Sequence, residues 1–217
     1  MPLPARPLPK FLVQRYKGWK ATDFEENHSW YKRLADEGQR PRAMVVSCCD
    51  SRVHVTSIFG ADMGEFFIHR NIASLIPPYN PDGDLHGTSA AIEYAVRVLR
   101  VSHLLVLGHS NCGGVDACDG MCRGEAAELE EPTSFVGRWL DLLRGEHAAV
   151  AGMNDKPARL QALEKAAVLV SLRNVLTFPY VSDGVDSGDL ALHGLWNDIG
   201  TGALEHYDAY LDKFLHV

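Results

Sequence analysis

Short apolar runs alternate with longer amphipathic segments along most of the chain. Residues 43–47, 65–68 and 103–107 are runs of strand length, and the first is apolar from Ala43 to Val46, as strands covered on both faces are. Residues 189–196 alternate enough between apolar and polar side chains to form a further strand. Because helical segments lie between these runs, the pattern predicts an α/β fold with a mainly parallel central β-sheet flanked by helices.

Helical periodicity is clearest at residues 88–100, where one side of a predicted helix is apolar. Glu93 and Arg97 are spaced for an ion pair between successive turns on another side of this helix. The apolar stripe consists of Thr88, Ala91, Ile92, Ala95, Val96 and Leu99.

The second half of the chain carries three further helical patterns, after residue 113, over 135–143 and over 157–178. The Asp119-Gly120 pair is expected to interrupt the first of them. Asn154 or Asp155 is expected to cap the last one, and Pro179 should stop it.

The first 38 residues differ from the rest because large aromatic side chains lie among charges at roughly helical intervals. We therefore expect residues 1–38 to be an N-terminal arm of one or two helices. Its aromatic side chains pack either on their own domain or on a partner subunit. The remaining residues, 39–217, are expected to form a single α/β domain.

Composition narrows the classes of function. The net charge is −7, the acidic residues concentrate at 125–131 and no basic tract occurs, so we expect no nucleic-acid partner. No apolar stretch approaches the roughly 20 residues that cross a bilayer, and no signal peptide is evident, so we expect a cytoplasmic protein without a membrane partner; import into an organelle stays open. The five cysteines, an odd number clustered between Cys48 and Cys122, favour reduced thiols available to a metal.

Two loops that follow apolar runs hold the residues best suited to chemistry, Ser47-Cys48-Cys49-Asp50-Ser51-Arg52 and Gly108-His109-Ser110-Asn111-Cys112-Gly113-Gly114. A catalytic zinc site typically has three protein ligands and one open position, and Cys48, His109 and Cys112 would supply such a set. The alternative at each position is structural, since a strand-end cysteine is usually a small buried apolar residue and Asp50 with Arg52 can be an ordinary ion pair.

These two motifs resemble the Cys-x-Asp-Ser-Arg and His-x-x-Cys-Gly-Gly signatures of β-class carbonic anhydrases. The similarity covers residues 39–116 closely and the region of His193-Gly194 loosely. The resemblance implies that Zn²⁺ is the cofactor, with Cys48, His109 and Cys112 as its ligands, and that Asp50 pairs with Arg52. It also implies a homodimer or dimer of dimers whose subunits share a substrate cleft. The family's cleft residues correspond here to Gln39, Phe67, Ile72, Tyr94 and Gly113.

The implied activity is the reversible hydration of carbon dioxide to bicarbonate and a proton. By this resemblance, Asp50 would accept a hydrogen bond from the nucleophile. Arg52 would keep the Asp50 carboxylate ionised and away from the metal. When that pair breaks, the aspartate itself can bind zinc. Some members couple this closure to a second bicarbonate site, whose tryptophan and tyrosine correspond here to Val45 and Asn197, so we expect an open site at neutral pH without that pocket.

Two alternative functions stay open at this point. Proteins resembling this family hydrolyse carbon disulfide or carbonyl sulfide with shared motifs. A structural or redox zinc module is a second alternative, and would need Cys49 as a fourth ligand. Separately, Cys118 and Cys122 are either a second metal or redox site on one helix face or, as we expect, packing thiols.

Overall fold

The computed structural model describes residues 5–84 and 86–217, and the chain divides into two compact units between Gln39 and Arg40. Residues 1–4 of the predicted arm therefore lie outside the described residues. Among the described residues, no helix is long and apolar enough to span a bilayer.

The N-terminal unit is helical, as its pattern predicts. It consists of α1 (Lys10–Trp19), a π-helical continuation (Lys20–Phe24) and α2 (His28–Glu37). The Trp19 ring lies 5.4 Å from Phe24 and 5.7 Å from Tyr31, and its indole nitrogen donates a hydrogen bond to Asp23. This aromatic cluster joins the two helices to each other, whereas no residue of α1 is buried.

The second unit is built on a six-stranded sheet. In the order β2-β1-β3-β4-β5-β6, the first four strands are mutually parallel, and β5 and β6 are antiparallel to their neighbours. The predicted mainly parallel sheet is thus confirmed. The strands are β1 (Ala43–Cys48), β2 (Phe66–Asn71), β3 (His103–His109), β4 (Ala191–Asn197), β5 (Leu204–Asp208) and β6 (Lys213–His216).

Seven α-helices accompany this sheet in the described part of the unit, residues 40–84 and 86–217. The apolar stripe predicted over residues 88–100 faces inward, since Thr88, Ile92 and Ala95 are buried. The α-helix covers His86–Glu93 and continues as a π-helix over Tyr94–Leu99. The Glu93–Arg97 pair is present at 2.8 Å. The helices are α3 (Val55–Phe59), α4 (His86–Glu93), α5 (Gly113–Cys122), α6 (Phe135–Arg144), α7 (His147–Val150), α8 (Lys156–Val175) and α9 (Pro179–Ser187).

Three local predictions need correction. Helix α5 runs through Asp119 without interruption. The Asp119 carboxylate is hydrogen-bonded to Arg159 and His147, so it does not compete for the backbone amides of the helix. Helix α8 ends at Val175, and Pro179 begins α9, where a residue without an N–H costs no helical hydrogen bond. Strands β5 and β6 follow where the sequence predicted only a C-terminal segment.

Strand register brings the loops that follow β1 and β3, which carry the candidate metal ligands, to the same end of the sheet. Ser47 pairs with Leu107 on the neighbouring parallel strand, so Cys48 and His109 leave the sheet beside each other. The long helix α8 begins at Lys156, with the Asp155 side chain accepting a hydrogen bond from the amide of Ala158. It packs along β3 and β4, with Val168 in the core beside Leu104 and Val106.

Candidate metal centre

Three buried donor side chains meet where β1 and β3 end. Cys48 is the last residue of β1, His109 is the last residue of β3, and Cys112 directly precedes α5. Their sulfur and nitrogen atoms all lie within 4.8 Å of one another. Within residues 5–84 and 86–217, this is the one group of three or more such side chains that is arranged to hold a metal ion.

The geometry of this group fits a zinc ion. The two sulfurs are 3.9 Å apart, close to the separation of about 3.8 Å that two thiolates adopt on a tetrahedral zinc. His109 Nδ1 lies 2.9 Å from the Ser110 carbonyl oxygen, which fixes the proton on that nitrogen. Its Nε2 is buried and has no hydrogen-bond partner among the described residues, so a lone pair is available to a metal.

The Cys48 and Cys112 sulfurs are close enough to share one proton in a hydrogen bond. That hydrogen bond lowers the pKa of the Cys48 thiol, against the opposing effect of burial. The same hydrogen bond, together with burial, raises the pKa of Cys112. A divalent cation between the sulfurs would replace the shared proton and hold both groups as thiolates.

Asp50 and Arg52 form a two-pronged ion pair beside this group. Arg52 donates from Nε to Asp50 Oδ1 at 2.9 Å and from Nη2 to Oδ2 at 2.7 Å. The Arg52 guanidinium holds the pKa of the Asp50 carboxyl well below its usual range. Arg52 Nη2 also donates to the Asn111 carbonyl oxygen, so this arginine connects the first loop to the loop that carries Cys112.

The predicted cleft residues are only partly brought together. The Phe67 and Tyr94 rings lie 5.8 Å apart, and Tyr94 and Ile72 are each more than a third exposed. A side chain added at Gly113 would meet no heavy atom within 4 Å, so its surroundings are open. Gln39 belongs to the N-terminal unit, and its place in the cleft stays a prediction.

Two residues of the site were missed in the sequence. Glu164 on α8 is 3% exposed and accepts hydrogen bonds from the Cys112 amide and the Trp196 indole, both at 3.1 Å. Burial raises the pKa of Glu164, while these donors oppose that shift. A carboxylate on the buried face of the helical pattern, four residues before Val168, was the signal that could have identified it.

The remaining cysteines lie outside the donor group. Cys49 is exposed, and its amide bonds to the Asn71 carbonyl. Cys118 is buried in an apolar cluster with Cys122 packed against it, and burial raises the pKa of Cys118 to about 12, as suits the expected packing thiol. Val45 is buried in another apolar cluster, and the Asn197 amide donates to the Ala203 carbonyl.

Comparison with known proteins gives a consistent family. The family model for carbonic anhydrase matches residues 43–204. "Beta carbonic anhydrase 5, chloroplastic" of Arabidopsis thaliana is 35% identical over 84% of this chain, and the match spans 59% of that relative's length.

Solved structures agree with the sequence relatives. The β-carbonic anhydrase CcaA superposes with a TM-score of 0.87 at 27% identity, covering 96% of this chain and 91% of that chain. A structure from the study of two tetrameric β-carbonic anhydrases of Sordaria macrospora gives 0.73 at 28% identity, covering 90% of this chain and 94% of that chain. The fold, the donor group and these matches together show that the chain belongs to the β-class carbonic anhydrase family.

Proposed function

We propose that this protein catalyses the reversible hydration of carbon dioxide to bicarbonate and a proton, at a zinc ion held by Cys48, His109 and Cys112. The observation that carries the proposal is the convergence of these three buried donor atoms within 4.8 Å, with an unpaired His109 Nε2 among them. Membership of the β-class family supports the same activity.

The metal and the surrounding residues have separate tasks in this proposal. A zinc ion supplies Lewis acidity, which lowers the pKa of water from 15.7 to about 7 and so provides a nucleophile at neutral pH. Asp50 stays ionised and can only accept hydrogen bonds, which orients a protonated nucleophile. The apolar side chains of Phe67, Ile72 and Tyr94 favour a neutral substrate over water.

Two polar groups complete the proposed substrate site. The Gly113 amide, at the first turn of α5, can donate to the negative charge that develops on the oxygens of bicarbonate. Gln39 is assigned the same task by its resemblance to the family's cleft glutamine. In this proposal both groups touch the substrate.

The open form of the site is the second part of the proposal. Both oxygens of Asp50 accept hydrogen bonds from Arg52, so binding of the carboxylate to a metal would require this ion pair to break, whereas its remaining lone pairs can still accept a hydrogen bond. This supports an exchangeable fourth position and argues against a closed structural zinc. The buried Val45 and the internally bonded Asn197 support the absence of the second bicarbonate pocket.

Assembly and location follow from the family and stay proposals. The Sordaria macrospora relatives are tetrameric, and we propose a homodimer or dimer of dimers here. The N-terminal unit would grip a partner subunit, because its α1 helix leaves Phe11 and Tyr16 more than half exposed. A cytoplasmic location also stays a prediction, and subcellular fractionation would test it.

Stopped-flow measurement of carbon dioxide hydration by the zinc-loaded protein tests the proposed activity. The wild-type protein should hydrate carbon dioxide at pH 8 to 9, and Cys48→Ser should lose both zinc and activity, whereas Cys49→Ser should keep both. Carbonyl sulfide and carbon disulfide are assayed in parallel. A fully zinc-loaded wild type that hydrolyses either of these but does not hydrate carbon dioxide would overturn the proposal.

A further inference from the structure

Helix α8 lies close to residues 108–114, the loop that carries His109 and Cys112 and is called the metal loop below. A Cβ atom at Gly108, the residue before His109, would lie 2.7 Å from a methyl group of Val168 and 3.5 Å from the Glu164 carbonyl oxygen. The glycine is therefore required for α8 to lie against the end of β3. Because Glu164 and Val168 are one helical turn apart, the approach at Val168 also brings the Glu164 side chain to the loop.

Both oxygens of Glu164 are engaged by donors of different elements. Oε1 accepts from the backbone amide of Cys112 and Oε2 from the indole of Trp196, each at 3.1 Å. Trp196 is 2% exposed and lies on β4 opposite Gly108. The carboxylate thus ties the residue that carries a metal-binding sulfur to a rigid side chain of the central sheet.

Burying a carboxylate lowers the stability of the fold unless its hydrogen bonds offset the free energy of desolvation. No lysine or arginine is among the hydrogen-bond partners found for Glu164 in the described residues; the two donors are an amide and an indole. We propose that Glu164 is a positioning residue of the metal centre, whose carboxylate fixes the Cys112 amide and thereby the Cys112 sulfur. This inference rests on the proposed zinc site.

The chemistry of an amide side chain makes the inference testable. Glu164→Gln keeps the shape but offers one acceptor and one donor group. If its oxygen faces the Cys112 amide, its NH₂ group faces the Trp196 N–H, so two donors oppose each other; the reverse orientation opposes the Cys112 amide instead. Trp196→Phe removes the indole donor, and the double variant can again accept from Cys112 without that conflict.

Metal retention is the measured quantity, because it does not depend on turnover. We expect zinc release to a chromogenic chelator to be about 10 to 100 times faster in Glu164→Gln than in the wild type. The double variant Glu164→Gln with Trp196→Phe should release zinc more slowly than Glu164→Gln alone. The sulfur-to-metal charge-transfer band of the cobalt(II) form should shift in Glu164→Gln and return toward the wild-type position in the double variant.

The matched control is Glu205→Gln, the same substitution at a buried carboxylate whose ion-pair partner is Lys165 rather than a residue of the metal loop. It should keep the zinc-release rate and cobalt spectrum of the wild type. Thermal unfolding of the metal-free proteins identifies any variant that fails to fold. The inference is overturned if Glu164→Gln keeps wild-type zinc release and spectrum, if Glu205→Gln loses zinc equally, or if the double variant shows no recovery.

The two proposals fail in distinguishable ways. A wild type that holds zinc but does not hydrate carbon dioxide overturns the proposed activity and leaves the role of Glu164 standing. A wild type that binds no zinc overturns both. A Glu164→Gln variant that behaves as the wild type in an active enzyme overturns the role of Glu164 alone.

Discussion

Asp50 has both of its carboxylate oxygens engaged by one guanidinium, and this pairing is more specific than an ordinary surface ion pair. The Asp50 side chain is 14% exposed, whereas that of Arg52 is 51% exposed. A solvent-exposed pair contributes little to folding stability. The value of this pair therefore lies in the fixed direction and ionised state of Asp50 rather than in stability.

Asp50→Asn tests the role of this carboxylate. The amide keeps the size of the side chain but loses the negative charge, so its ability to orient a protonated nucleophile is weakened. We expect kcat/KM for carbon dioxide hydration to fall by about a hundredfold while the zinc content is unchanged. The control is Asp186→Asn on an exposed surface of α9, which should behave as the wild type. Unchanged kcat/KM in Asp50→Asn would contradict the proposed role.

Two adjacent glycines at the start of α5 have opposite surroundings. A Cβ at Gly114 would lie 2.6 Å from a methyl group of Ile72 and 3.2 Å from the Ala73 side chain, whereas one at Gly113 meets open space. The turn opposite cannot retreat freely. The Trp139 indole donates to the Ile72 carbonyl, and Ala73 has a φ of 59°.

These surroundings predict different responses to the same substitution. Gly114→Ala should lower the free energy of unfolding by about 1–3 kcal/mol, because it overpacks the contact with Ile72. Gly113→Ala should change it by at most about 1 kcal/mol, in the stabilising direction, since alanine favours the helix. Chemical denaturation of the two metal-free variants measures both values. Equal destabilisation would contradict the close packing at Gly114.

Three helices around the metal loop are joined by a buried ionic network. Asp119 on α5 accepts from Arg159 on α8 at 2.9 and 3.0 Å, and His147 on α7 lies 2.9 Å from the same carboxylate. The Asp119 and Arg159 side chains are 2% and 5% exposed. Burial alone would raise the pKa of Asp119, but the hydrogen bonds from Arg159 and His147 prevail and lower it.

The lowered pKa of Asp119 predicts how this network depends on pH. A carboxyl whose pKa is lower in the folded than in the unfolded protein stabilises the fold above its unfolded pKa, here 3.8, and loses that contribution as the pH falls through the folded pKa. At pH 7 the free energy of unfolding of Asp119→Asn should therefore be about 3–5 kcal/mol lower than that of the wild type. This difference between the two proteins should narrow below pH 4. Urea titrations of the metal-free proteins at pH 7 and pH 3 measure it, and a gap independent of pH would contradict the assignment.

At the scale of the whole molecule, the exposed aromatic face of α1 concerns assembly. Phe11 and Tyr16 are 56% and 55% exposed in a helix without a buried residue. An amphipathic helix whose apolar residues are exposed is expected to bury its apolar face against a partner. The proposed occupant of this face is a second copy of the chain.

Replacing both aromatic residues tests the assembly. The double variant Phe11→Ser with Tyr16→Ser should shift the mass measured by light scattering toward a smaller species at micromolar concentration, because it removes apolar area from the contact. The control is Tyr210→Ser, at a fully exposed position of the second unit. An unchanged mass in the double variant would contradict the gripping role of the N-terminal unit.

The success of the sequence-based predictions varied with the range of the interactions concerned. The stripe of α4 and the apolar run of β1 were identified because each depends on local periodicity. The continuous course of α5 was not, since Asp119 is satisfied by Arg159, forty residues away. The sequence predicts a helix stop at Pro179, but this residue begins α9, because proline is compatible with the first turn of a helix as well as with a helix end.

The sequence by itself determined the fold class, the family and a candidate set of donors, because apolar periodicity and motif spacing are encoded in consecutive residues. Tertiary structure alone decided that Cys48 and His109 leave neighbouring parallel strands side by side. It alone showed that Glu164 contacts the Cys112 amide. These contacts join residues fifty or more positions apart, and strand register and the close packing of α8 at Gly108 fix them, so no local pattern records them.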